Sequence, residues 1–513
     1  MLSFTSQQNA AQQNRLTLAA VCLAALMFGL EISSVPVILP TLETVLHGNF
    51  KDLQWIMNAY TIACTTVLMA TGTLADRYGR KRLLLASLAL FGAASLLCGW
   101  AGSAAVLIAA RCVQGMAAGA MLICQVAVLS QQFPSGAARG RAFGAWGIVF
   151  GIGLGFGPII GAAIVALSSW QWVFLVHGPL AVVALLLAWL GVAQSRDPQR
   201  RKLDAGGIAS LSLAVFSLAW CITQGPALGA TDARTVASLA VALASLAVFA
   251  VIERRRAEPM VDFAVFRLRR FSGALLGSAG MNCSFWPFMI YLPLYVQNCL
   301  GYGSVATGLT LLAYTLPTLL VPPLAERLAL RYQPDAVIPA GLLAIGAGLL
   351  LMLWGSSADS ASWLTILPGC LLAGTGLGLT NTPVTNTTTG AVSAERAGMA
   401  SSIDISARMI SLSINIALMG FILVEAIQAA LRPHLPAGIE AGALRAVAEG
   451  LSAGKGAGEL GLPLSHAIVH HALAQGFGAL MLYGGVAACA FALASALVFG
   501  VGRAGRSAGL PAR

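Results

Sequence analysis

"GTLADRYGRKRLL", residues 72–84, sets five charges within seven residues, Asp76 to Arg82, between two apolar runs at 53–75 and 83–102. A helical run of about 20 apolar residues matches a hydrocarbon core of about 30 Å. Charges gathered at the joint between two such runs therefore read as a tight turn at a membrane surface. Gly79 fits that turn and Gly72 permits close helix approach, while Asp76 can cap a helix or pair with a nearby arginine.

The same alternation of long apolar runs and short charged joints continues along the 513 residues. The chain is 58% hydrophobic and only 10% charged, against about 25% charged in soluble domains, and its mean hydropathy is +0.82. Folding in water would leave apolar patches that no globular surface tolerates, whereas lipid accepts apolar helices whose backbone groups are bonded internally. An all-α integral membrane protein is expected. A formal net charge of +11 could indicate nucleic-acid binding, but the basic residues sit in the joints, where they act as orientation signals, so no nucleic acid is expected as a partner. All ten cysteines fall inside apolar runs with no CxxC spacing, which suggests neither a disulfide framework nor a thiolate metal site. The start, "MLSFTSQQNAAQQNR", leads into an apolar stretch too long for a signal peptide, so the first helix is expected to be kept.

A window of about 19 residues gives fourteen spans: 16–40, 53–75, 83–102, 106–130, 141–165, 171–193, 206–225, 235–252, 272–297, 304–326, 336–355, 362–384, 398–425 and 474–502. An even count puts both termini on one side. Of the 30 Lys and Arg residues, 23 fall on that side and five on the other, namely Lys51, Arg234, Arg432, Arg445 and Lys455, while Arg111 and Arg408 lie within helices. The positive-inside rule then makes both termini cytoplasmic. "LADR" at 74–77 and "LAER" at 324–327 close the second and tenth spans, a repeat of the kind secondary transporters use to build a site between two halves. The expected organisation is a six-helix bundle over 1–193, two inserted helices with cytoplasmic linkers over 194–270, and a second six-helix bundle over 271–502. Residues 426–473 form its extracytoplasmic loop, and 503–513 a cytoplasmic tail.

The 72–84 stretch resembles the signature loop of the major facilitator superfamily, G-x-L-a-D-r-x-G-r-k-x-x-l, through Gly72, Leu74, Ala75, Asp76, Arg77, Gly79, Arg80, Lys81 and Leu84. "RCVQGMAAGA" resembles the same family's fourth-helix pattern through Arg111, Gln114, Gly115 and Gly119, and "GLGFGPIIGA" resembles its antiporter pattern through Gly153, Gly157, Pro158 and Gly161, with Ala162 in place of the final glycine. "LEISSVPVILP", 30–40, is similar to the first-helix motif of the fourteen-helix drug:proton antiporters, with Glu31 where that family has Asp and Pro36 where it has Asn. "SWQWVFLVHGP", 169–179, resembles another of its motifs with His177 for Asn, and "DFAVFRLRRF", 262–271, resembles the basic segment entering the ninth helix. The resemblance implies two six-helix bundles plus two inserted helices in the inner membrane, export by alternating access, and gating by the 72–84 loop.

A carboxylate at bilayer depth costs several kcal/mol by insertion scales and marks an ion or proton pathway or a buried partner. At about 1.5 Å per residue, Glu31 and Arg111 fall at one level of the membrane, so the two can pair directly or through water. The alternatives are a proton-coupling site and a structural buried pair. Asp404 and Arg408, four apart on one helical face, make either an ion pair lining the second bundle or a second proton or cation site. Phe285, Trp286, Phe288, Tyr291 and Tyr295 suit an adaptable pocket or plain bundle packing equally. Tyr60, Gln114, Trp286, Tyr291, Tyr295 and Arg408 are the candidates for substrate contact.

Three other signals carry little. "GIGLGFG" lies inside an apolar run with no strand before it. "GLSAG", 450–454, has a nucleophile-elbow form in a loop too short for a hydrolase sheet, and His466 and His470 stand one turn apart without further ligands. With no Walker A loop, ATP hydrolysis is not expected to supply the energy; no catalytic role, cofactor or metal is expected either. The expected function is proton-coupled antiport of drugs or other lipophilic or cationic small molecules, with protons, the substrate and the bilayer as partners, alone or with a periplasmic adaptor and outer-membrane channel. Alternatives are a narrow exporter of an endogenous metabolite or siderophore, a proton symporter, and a membrane enzyme or sensor.

Overall fold

Helices are the only regular structure among the described residues, as expected where backbone groups have no water to bond. The computed structural model describes residues 2–133, 136–194, 204–229, 231–256, 263–357, 361–392, 397–435, 440–454 and 465–500. The first group is α1 (Leu2–Leu46), α2 (Phe50–Tyr78), α3 (Arg80–Gly99), α4 (Ala104–Gln132), α5 (Gly136–Leu167), α6 (Gln171–Leu175) and α7 (His177–Gly191). A hairpin follows, α8 (Ala205–Leu228) and α9 (Ala233–Arg255). The second group is α10 (Arg269–Ser284), α11 (Phe288–Asn298), α12 (Ser304–Leu320), α13 (Pro322–Tyr332), α14 (Pro334–Ser356), α15 (Trp363–Gly390), α16 (Ala397–Leu431), α17 (Ala441–Ala453) and α18 (His466–Phe499).

Proline explains why three expected spans are each two helices. Pro287 has no N–H, and at the α10–α11 break the amides of Phe285 and Trp286 both turn to the Met281 carbonyl. Pro322 and Pro323 together bend α12 against α13 by 45°. Pro179 leaves the Leu175 carbonyl without its helical donor where α6 gives way to α7. Eleven helices among the described residues are long and apolar enough to cross a membrane, and the bent α12–α13 pair makes twelve. The extracytoplasmic loop expected at 426–473 contains the end of α16, all of α17 and the start of α18.

The packing within the two groups is the same. In the first, α1 lies on α4, α5 and α7, α4 lies on α2 and α3, and α3 on α7. In the second, α10 lies on α15, α16 and α18, α15 on α12 and α14, and α14 on α18. Even a detail repeats: a side chain at Gly115 would collide with the Tyr60 carbonyl, and one at Gly374 with the Tyr314 carbonyl, so a glycine lets two helices approach in each bundle. The bundles meet through α5 on α12, α2 on α16, and α1 on α11. One hydrophobic core runs across that seam, from Val35, Ile38 and Leu42 of α1 to Tyr291 and Tyr295 of α11 and Leu423 of α16. The α8–α9 hairpin sits outside both bundles, with α8 against α2 and α16 and Trp55 near Phe216 at 5.8 Å.

Hydrogen bonds cross the seam from the middle of α2 and α16 to the end that carries the α1–α2 turn. Ser413 Oγ donates to Thr61 Oγ1 at 2.9 Å, Gln54 Nε2 to the Ile416 carbonyl at 3.3 Å, and Gln297 Nε2 to the Val37 carbonyl at 3.3 Å. Above them α17 buries Leu444, Ala448 and Leu451, and its Glu449 lies 3.5 Å from Lys51 of the first bundle. Toward the opposite end α5 is exposed: among the described residues a side chain at Gly144 or Gly147 would meet nothing within 4 Å, and Ile148 is exposed.

Candidate functional site

Glu31 and Arg111 are completely buried in the first bundle. The Arg111 Nη1 donates to Glu31 Oε1 and, at 2.7 Å, to Gln114 Oε1, while Nε donates to the Ile56 carbonyl at 3.1 Å. Gln114 is held in turn by its own Nε2, which donates to Ser95 Oγ at 2.9 Å. The guanidinium lies 4.2 Å above the Tyr60 ring, a cation–π contact strengthened by the dry surroundings. A buried charge is tolerable only when paired and hydrogen-bonded, and four helices contribute to that here. Arg111 Nη2, Glu31 Oε2 and the Tyr60 hydroxyl have no hydrogen-bond partner among the described residues.

The level expected for Glu31 and Arg111 from helix length is the level at which they meet. The sequence singled out both, and Gln114 beside them. It flagged His177 only as a departure, and the contact it makes joins two distant segments: Nε2 is 3.2 Å from the Met27 carbonyl and Nδ1 is 3.5 Å from Glu31 Oε2. Phe91 closes the other side of the ring, edge-on at 5.6 Å.

The glycine pattern of α5 explains how α1 is held at this depth. A side chain at Gly153 would press on the Leu26 carbonyl and on Gly29, one at Gly157 on Ser33, and one at Gly161 on Ser34. Ser33 Oγ donates to the Gly153 carbonyl at 3.0 Å, tying α1 to α5 two residues beyond Glu31. Pro158 lies within α5 between those contacts. One turn away Thr315 Oγ1 of the second bundle donates to the Gly155 carbonyl at 2.7 Å, so the same stretch also faces the seam.

Asp404 and Arg408 form the expected pair along α16, 2.9 Å apart. Ser278 of α10 donates to Asp404 Oδ1, and Arg408 reaches Asn381 and, at 3.0 Å, Thr385 Oγ1 of α15. The aromatic candidates serve packing in this conformation. Tyr291 donates to the Ile416 carbonyl at 2.5 Å and accepts from Gln54 at 3.2 Å, Tyr295 meets Phe477 edge-on at 5.6 Å, and Trp286 is half-buried, edge-on to Phe285 at 5.8 Å.

In the 72–84 loop, Gly79 joins α2 to α3 with φ 104°, a backbone region that favours glycine. Arg80 faces Gln131 at 3.5 Å and Lys81 donates to the Trp189 carbonyl at 2.6 Å. Gly72, Asp76 and Arg77 lie in the last turns of α2, and their side chains fall outside the described residues.

Comparison with known proteins adds to this geometry. Residues 21–416 match the family model described as Major Facilitator Superfamily. The multidrug resistance protein Stp of Mycobacterium tuberculosis is 33% identical over 420 residues, 82% of this chain and 78% of that protein. The tetracenomycin C resistance and export protein of Streptomyces glaucescens is 31% identical over 417 residues, 80% of this chain and 76% of that protein. Among solved structures, a bacterial homologue of the human lysosomal transporter Spinster, in an inward-facing and unoccupied conformation, superposes with a TM-score of 0.63 at 16% identity, covering 95% of this chain and 98% of that one.

Proposed function

The chain belongs to the major facilitator superfamily, and we propose that it is a proton-coupled antiporter that exports lipophilic or cationic small molecules across the inner membrane. As a multi-pass member of that superfamily it is a transporter rather than an enzyme. The observation that carries the coupling is the fully buried Glu31, paired with Arg111 in α1's midst and backed by the α5 glycines. A carboxylate at that depth serves as a carrier of one proton when water reaches it from alternate sides, with Arg111 adjusting how tightly the proton is held. The names of relatives as multidrug resistance and export proteins support the outward direction and the substrate class.

On this reading fourteen spans cross the bilayer, with α2 and the α10–α11 pair added to the twelve set by length and composition. Both termini are cytoplasmic, in keeping with the basic joints. The end of the seam nearer the α1–α2 turn is then extracytoplasmic, and the exposed end of α5 is cytoplasmic. The 72–84 loop, through Gly72, Asp76, Arg77, Gly79 and Arg80, would latch the cytoplasmic end when the molecule faces outward. Asp404 and Arg408 offer a second charged position in the other bundle.

The decisive experiment reconstitutes the protein in liposomes and follows gradient-driven movement of a fluorescent cation such as ethidium. Wild type is expected to move it in response to a pH gradient and to stop with a protonophore. Glu31→Gln is expected to abolish the movement, and full activity in that variant would remove Glu31 from the coupling role. Relatives named for one antibiotic favour a second reading, a narrow exporter of a single compound. A growth screen across toxic compounds in a pump-deficient host separates the two.

A further inference from the structure

His177 is buried beside Glu31, yet the ion pair with Arg111 does not need it. Its Nε2 is 3.2 Å from the Met27 carbonyl. A carbonyl oxygen only accepts, so Nε2 carries a hydrogen in every protonation state of the ring. That assigns Nδ1 as the nitrogen that gains or lacks a proton, and Nδ1 is 3.5 Å from Glu31 Oε2. Neither atom has a hydrogen-bond partner among the described residues. Arg111 occupies the other carboxylate oxygen, so Oε2 is the free face of Glu31.

With the carboxylate charged and the imidazole neutral, two lone pairs face each other between buried side chains, an arrangement characteristic of costly buried polar atoms. One added proton satisfies both atoms, as an O–H on Oε2 donating to Nδ1 or as an N–H on Nδ1 donating to Oε2. We propose that the proton exchanged by this protein is held jointly by Glu31 and His177, so that His177 is a second proton-handling residue of the coupling site. This rests on the antiport reading above. Either way one bond to hydrogen forms, the proton comes from water on one side and leaves to water on the other, and the site moves from net neutral to a charge of +1. That gain opposes a bound cation, which is the exclusion an exchanger of cations for protons requires. Among the described residues the other titratable groups around the pair are Arg111 of α4, Tyr60 of α2 and Cys98 of α3. Of these Arg111 alone is charged at neutral pH.

A base facing Oε2 gives the shared proton a second acceptor, and removing it leaves that proton on Oε2 without a hydrogen-bond partner. The test is a pH titration of the purified full-length protein by infrared difference spectroscopy, with Glu31→Gln identifying the Glu31 carboxyl signal. His177→Asn and His177→Gln, both polar and of similar bulk, are expected to shift the midpoint of proton uptake to more acidic pH by about one unit or more, a tenfold change in proton affinity. The pH profile of ethidium efflux is expected to move with it. A midpoint unchanged in both variants, with efflux rates scaled uniformly at all pH, would show His177 to be a packing residue and overturn the proposal. If the midpoint moves but wild-type efflux ignores the pH gradient, the shared proton stands while its transport, and the antiport reading, fall.

Discussion

At the scale of the residue, the structure turns one anomalous carboxylate into a wired group. Arg111 makes three hydrogen bonds and one ring contact, so removing it costs more than a charge. Arg111→Ala strands Glu31 in an apolar interior and is expected to destabilise the fold by about 3–5 kcal/mol, visible as a lower melting temperature in detergent. Combining Glu31→Gln with Arg111→Met removes both charges and should recover most of that stability while leaving efflux inactive, a pattern readable by a double-mutant cycle. Arg111→Lys keeps the charge but cannot reach Ile56, Gln114 and Glu31 at once. Its efflux rate is expected to fall even where the protein remains folded.

At the scale of the element, the antiporter pattern of α5 is a packing device. Its glycines sit where α1 presses closest, at Gly29, Ser33 and Ser34, and lipid supplies no hydrophobic drive to replace that contact. Gly157→Leu would force α1 and α5 apart beside Glu31, and is expected to cost about 1–3 kcal/mol and to uncouple efflux from the pH gradient. Gly144→Ala, on the same helix with open space around it, should change thermal stability by less than about 1 kcal/mol and leave transport intact. The contrast, measured by thermal shift and liposome efflux, distinguishes the packing role from helix propensity alone.

At the scale of the molecule, two bundles of like packing meet along one seam that hydrogen bonds cross from its middle toward the α1–α2 turn. Cysteines at Thr61 and Ser413, whose hydroxyls are hydrogen-bonded across it, are expected to form a disulfide that stops efflux and to release it on reduction; unchanged efflux after complete oxidation would mean that this seam does not open in the cycle. An impermeant thiol reagent should label a cysteine placed at the exposed Gly442 of α17 in intact cells, and one placed at the exposed Leu330 of α13 only after permeabilisation. The helical class, the joints and the two-bundle repeat were legible in the sequence, because hydropathy and charge at the joints are local properties set by the bilayer. Glu31 and Arg111 were legible too, since a charge within an apolar run is an outlier wherever it folds. Three things were not: the proline breaks that divide three spans, the tying of the seam by Gln54, Thr61 and Ser413, and the approach of His177 to the free oxygen of Glu31. Sequence alone determined which stretches are long and apolar enough to cross a membrane and which charges lie within them, because hydropathy is a property of each residue. Which of them touch was decided only by tertiary structure, through glycine-mediated helix contacts and hydrogen bonds between segments far apart in the chain.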